Sequence, residues 1–163
     1  MVRAAWVLGM VVGCGGGGGE ELTPDAAYEV RVETAVTDGA VVSNCLPDGS
    51  EYALVDDTFT YELFFEGTNA TVNIDGESFA TGVRSGCKLD YTSVVWLEER
   101  PSGNLQWQVS GSALYDALGG ACGLSEGLQW EGTESITIVA SDDEDIPEGC
   151  TYEMVTTGTL IGG

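Results

Sequence analysis

The chain of 163 residues contains no histidine. The commonest general base, and the usual partner of a serine or cysteine nucleophile, is therefore missing. Ser85-Gly86-Cys87-Lys88 spells S-x-x-K, a pattern in which a lysine assists a serine nucleophile in the company of S-D-N and K-T-G motifs. Neither companion is present, and the serine falls at a turn entering an alternating segment. The stretch reads as a turn, a disulfide cysteine and a solvated lysine. A glycosidase-type site would need only two carboxylates, one with its pKa raised by an apolar setting. Asp90, Glu98 and Glu131 lie close to tryptophans, which would suit a sugar, but Trp96, Trp107 and Trp130 are more simply core or sheet-surface aromatics. Nearly all the acidic residues fall on outward strand positions or in loops, so no enzyme is expected. The densest acidic run, Ser141 to Cys150, offers Asp142, Asp143, Asp145 and Glu148 as oxygen ligands for calcium. The competing reading of that run is a solvated loop.

The five cysteines divide by position. Residues 1–14 carry one positive residue, Arg3, then an apolar stretch from Ala4 to Val12, then Gly13 against Cys14. That is the layout of a secretory leader, too short to span a bilayer. Val11-Val12-Gly13-Cys14 resembles the lipobox of bacterial lipoproteins. The resemblance implies cleavage before Cys14, acylation of Cys14, and attachment to a membrane in the bacterial cell envelope, on the outer membrane with the domain facing the periplasm or the surface. Gly15 to Gly19 then reads as a tether, since a glycine run has no side chains to pack and maximal backbone freedom. A phosphate-cradling loop is the rival, but it requires a strand before, a helix after and usually a lysine. The expected organisation is a leader over 1–13, a lipidated cysteine and tether over 14–24, and one all-β domain over 25–163.

Cys45, Cys87, Cys122 and Cys150 remain, an even number in a chain directed to an oxidising compartment. Two disulfides are expected. Zinc is the weaker alternative, because there is neither a CxxC pair nor a histidine. The 27 acidic residues against five basic ones give a formal charge of −22, which repels phosphate backbones and excludes nucleic acid as a partner.

Period-two alternation recurs along the whole chain and predicts strands throughout. Tyr28, Val30, Val32, Thr34 and Val36 alternate with Glu29, Arg31 and Glu33. A strand follows near 58–66, then two more around Asp75-Gly76, a strong hairpin signal. Leu89, Tyr91, Ser93, Val95 and Leu97 predict one face of a further strand. Arg100 to Asn104 turns the chain into a strand with Leu105, Trp107 and Val109 facing in. Residues 126–140 are expected as one long strand, residues from Cys150 onward as the last, and Ala113 to Leu118 as at most a helical turn. Short turns between sequential strands make a meander, giving a β-sandwich or an up-and-down barrel of about eight to nine strands. Strand parity places Cys87 and Cys122 at one end and Cys45 with Cys150 at the other, so the expected pairs are Cys87–Cys122 and Cys45–Cys150.

The functional expectation is an exported, lipid-anchored β-domain acting without catalysis, as a binding or structural surface component with a protein or small-molecule partner. Two alternatives are a lipocalin-like carrier of a small apolar ligand, resting on Tyr28, Phe59, Tyr61, Leu89, Tyr91, Trp107 and Met154 facing inward, and a calcium-dependent binding module. A small carboxylate-based hydrolase is the third.

Overall fold

A computed structural model describes residues 23–36, 56–116, 122–144 and 146–163. The strands are β1 (Ala26–Val36), β2 (Thr58–Glu66), β3 (Asn69–Ile74), β4 (Glu77–Ser85), β5 (Lys88–Ser93), β6 (Trp96–Arg100), β7 (Gly103–Tyr115), β8 (Trp130–Ser141) and β9 (Thr151–Gly162), and no helix occurs among the described residues. Each strand arises where apolar residues alternate with polar ones, so that one face can be buried and the other solvated. Residues 130–141 form one unbroken strand, beginning four residues later than the expected 126–140, whereas Ala113 to Tyr115 end a strand instead of forming a helical turn.

The sheet runs β5-β4-β3-β2-β1-β9-β8-β7-β6, and a further pairing of β5 with β7 closes it. Eight antiparallel strands therefore make a barrel, and β6 continues past its rim on β7. Between a sandwich and a barrel, the second is what the chain adopts. Asp75 and Gly76, at φ 52° and 84°, form the two-residue turn joining Ile74 to Glu77. Left-handed backbone at both turn positions matches the twist of the flanking strands, and Asp-Gly tolerates it.

The interior is packed. Tyr28, Tyr61 and Tyr91 surround the fully buried Trp130 with ring centroids 5.6, 5.4 and 6.3 Å away. Gly111 is required there, because a Cβ on it would lie 2.1 Å from the Tyr91 ring. Below this layer Val32, Val109, Ile136, Tyr152 and Met154 form a second cluster, and Leu105, Ile138, Ile146 and Cys150 a third. Cys87, in the turn between β4 and β5, is bonded to Cys122 in the connection between β7 and β8. The bridge staples the end of the barrel where β1 begins.

At the other end the ladder slips. Thr92 pairs with Ser110 and Trp96 with Trp107, so four steps along β5 and β6 pass three along β7. An extra residue in one strand is a β-bulge, and it moves every following side chain to the opposite face. The expectation that Val95 and Leu97 share a buried face with Leu89 and Tyr91 is thereby corrected: Val95 is 49% and Leu97 61% exposed. Trp96, Glu98 and Arg100 face inward in their place, with Glu98 opposite the buried Leu105.

Candidate interaction site at the β6 end of the barrel

Ser93 holds the bulge in place. Its hydroxyl accepts the Val109 N–H at 2.9 Å and donates to the Val94 carbonyl at 2.7 Å, while Gln108 Nε2 donates to the Ser93 carbonyl at 3.0 Å. These bonds replace the ladder contacts that the slip removes. Past it, β6 pairs only with β7 among the described residues. Alternate residues of β6 must therefore direct backbone N–H and C=O groups away from the sheet.

The inner side of β6 is aromatic, then charged. Trp96 stacks on Trp107 at 5.9 Å and on Phe79 at 6.4 Å, with both ring pairs tilted by 22°. Trp96 Nε1 is buried without a hydrogen-bond partner. Further along, Arg100 lies 3.8 Å from Glu98 and 4.0 Å from the buried Asp143. Burial, and then the Asp143 charge, push the Glu98 carboxyl above its ordinary pKa. The outer side carries Val94, 59% exposed, with Val95 and Leu97. Three large apolar residues within four positions form the most concentrated exposed apolar patch among the described residues.

Of the four residues expected to bind calcium, three are described, and Asp142 and Asp143 are engaged elsewhere. Asp142 Oδ1 accepts the Asn104 N–H, and Asp143 Oδ2 accepts Ser102 Oγ at 2.5 Å. Both carboxylates thus point back at the turn between β6 and β7 and fasten it to the β8–β9 connection. Glu148 is exposed, and Asp145 lies outside the described residues. Among those residues no three His, Cys, Asp or Glu side chains are grouped to hold a metal ion. Asp143 is also no solvated loop residue, since it is 6% exposed.

The other singled-out residues are scattered. Asp90 is outward on β5 and pairs with Lys88 at 3.0 Å, and Glu131 is bound by the Ser125 N–H at 3.0 Å and its hydroxyl at 2.5 Å. With Glu98 at the far rim, these three carboxylates share no site. Ser85 and Lys88 are the pair closing a two-residue turn with Gly86 at φ 61°, which is the turn reading of S-x-x-K. Cys14 and Cys45 lie outside the described residues, and with Cys45 goes its expected bond to Cys150.

The sequence reading missed two buried carboxylates, Asp116 and Glu134, and the second lies inside the barrel. Glu134 on β8 is 2% exposed and accepts the hydroxyls of Tyr61, at 2.7 Å, and of Tyr91 on one oxygen. Burial raises its pKa, with the Tyr91 and Tyr61 bonds opposing the shift. Burial likewise lifts both phenols well above their ordinary value, helped by the Glu134 charge. All three groups are sealed in the barrel, so the cluster ties β2, β5 and β8 together and presents no reacting atom to solvent. The signal was legible, since Trp130, Gly132, Glu134, Ile136 and Ile138 share one parity.

The fold and the site together define a filled eight-stranded antiparallel barrel with a ninth strand, β6, that among the described residues pairs only with β7. No protein-family model, no curated protein and no solved structure matches the chain.

Proposed function

We propose that the chain is an exported lipoprotein, anchored through Cys14 in the bacterial envelope, whose barrel works without catalysis by binding a protein at its β6 end. The observation that carries this reading is the inverted patterning of β6: Val95 and Leu97 turned out to solvent, Glu98 and Arg100 turned in. Leaving a large aliphatic side chain in water forgoes about 1.5 to 3 kcal/mol of burial. A local departure of that size from an otherwise consistent pattern is the mark of a surface kept for contact. The packed rings around Trp130 favour this over a carrier of an internal ligand.

The described chain enters the barrel at the end opposite β6. The chain enters β1 at Ala26, opposite the end of β2, and β1 has eleven residues, which span on the order of 35 Å. The tether adds about 15 to 20 Å on random-coil scaling. A lipid-anchored barrel of this form holds β6 away from its own membrane, where a second protein can reach it.

A photo-reactive amino acid placed at Leu97, and separately at the exposed Glu29 on β1, tests the reading in the producing bacterium. A protein adduct of one defined mass from Leu97 and none from Glu29 is the expected result. Equal labelling from both positions, or a small apolar molecule retained by the chain in native mass spectrometry, overturns it in favour of a passive surface or a carrier.

A further inference from the structure

We infer that the Tyr61–Glu134–Tyr91 cluster is a proton-coupled redox site, which takes the hole left by a one-electron oxidant and holds it as a neutral tyrosyl radical. This is an activity of the barrel interior and stands independently of the β6 surface.

The geometry separates these two phenols from the others in the core. A buried tyrosine gives up an electron readily only if its phenolic proton leaves with it, because a cationic ring or a phenolate is unfavourable in an apolar interior. Tyr61 and Tyr91 both donate to Glu134 Oε1, Tyr61 at 2.7 Å, which is within the reach that proton transfer needs. Tyr28 and Tyr115 belong to the same cluster but lack such a base. The Tyr28 hydroxyl is buried with no hydrogen-bond partner, and that of Tyr115 donates to the Gly86 carbonyl at 3.2 Å. Burial raises the Glu134 pKa and those of both phenols. The carboxylate is thereby the stronger acceptor, and neither phenol ionises before it loses an electron.

The surrounding rings supply a route. Trp130 lies 5.4 Å from Tyr61 and 6.3 Å from Tyr91, centroid to centroid. Its Nε1 donates to Thr156 Oγ1 at 3.1 Å, and a hydroxyl is no base for an indole proton. A hole on Trp130 therefore passes to a neighbouring phenol. The barrel wall is a single sheet, so an electron can tunnel through it to an oxidant outside while water and reagents stay out. The formal charge of −22 favours cationic oxidants of the oxidised metal-complex class.

The step balances within the cluster. One phenolic O–H bond breaks, an O–H bond forms on Glu134, and one electron passes to the oxidant. The phenoxyl oxygen then accepts a hydrogen bond from the new carboxylic acid. Glu134 can take only one proton, so the second phenol has lost its base and each chain stores a single oxidising equivalent. A one-electron reductant reverses the step by returning the electron while Glu134 returns the proton.

The test uses the full chain, produced with its own leader and purified in detergent. Flash-generated ruthenium(III) tris-bipyridine is the oxidant, at a mildly alkaline pH that favours the ionised carboxyl. Electron paramagnetic resonance should show a neutral tyrosyl radical, at most one per chain, that outlives the radical formed in the urea-unfolded chain. It should form more slowly once the buried hydroxyls have been exchanged by refolding in deuterium oxide. Tyr61→Phe and Tyr91→Phe should each keep a radical on the phenol that remains, with the spectrum changed in at least one of them. Glu134→Gln, which keeps an oxygen for both phenols but no base, should lose the long-lived signal. An equal signal from Glu134→Gln, a tryptophan radical in the wild type, or the absence of an isotope effect overturns the inference and leaves the cluster as a structural tie. Should Glu134→Gln fail to fold, the single variants decide: spectra identical to wild type in both would place the radical on another tyrosine and overturn the inference as well.

Discussion

Glu134 shows how a single side chain can be held ionisable inside a packed barrel. The two phenols of Tyr61 and Tyr91 donate to it, and hydrogen bonds to a carboxylate offset part of the cost of burying its charge. Burial still dominates, and the folded-state pKa lies above the ordinary value. The stabilising contribution of such a group is complete below its unfolded pKa and is lost as pH rises through its folded pKa. Wild-type stability should therefore fall as pH rises from about 4.5 towards neutrality, and Glu134→Gln, which keeps an oxygen for both phenols, should lack that part of the fall. Within the window between the two pKa values the curves should part by about 1.4 kcal/mol per pH unit. Urea unfolding of both proteins from pH 4.5 to 8 measures this. Parallel curves would show that the carboxyl titrates alike in the folded and unfolded chain. The parity of Glu134 could be read directly from its neighbours on β8. What hid it was the expectation that acidic residues in a solubilising surface point outward, a tendency that says little about any one position.

At the scale of the element, most strands were legible because turn chemistry and alternation agreed. The Asp75-Gly76 turn, β2 near 58–66 and the unbroken β8 are cases in point. The slip before β6 was not legible. Val94 and Val95 are both apolar, so the sequence continues smoothly whether or not one residue is left out of the ladder, and a period-two pattern cannot detect the extra member. The two readings differ in what they require of Leu97. Outside the barrel, Leu97→Lys should change stability by no more than about 0.5 kcal/mol, as for an ordinary surface position. Leu105, fully buried at the same end of the barrel, should lose about 2 to 5 kcal/mol on replacement by alanine. Thermal or urea unfolding of the two variants decides the register. A collapse of Leu97→Lys comparable to that of Leu105→Ala would put Leu97 back on the inner face.

For the whole molecule, the choice between sandwich and barrel turned on one pairing that sequence order does not suggest, β5 with β7 across the intervening β6. Closure removes two edges and leaves β6 as the strand without a second neighbour among the described residues. The same closure lies close to the bridge that parity did anticipate, Cys87 with Cys122, where the Tyr115 N–H donates to the Cys87 carbonyl at 2.9 Å. The disulfide spans a sequence separation of 35 residues, and on the loop-entropy model a loop of that length stabilises by about 3 to 4 kcal/mol. Cys87→Ala with Cys122→Ala should lower stability by about that amount and leave the strand content unchanged, because Trp130 and its surrounding tyrosines still fill the barrel beneath the bridge. Urea unfolding with far-ultraviolet circular dichroism reports both quantities at once. Loss of the β signal in the native baseline would mean that the bridge, and not the aromatic layer, holds β5 against β7. An unchanged midpoint would mean that the unfolded chain gains no freedom when the loop is opened.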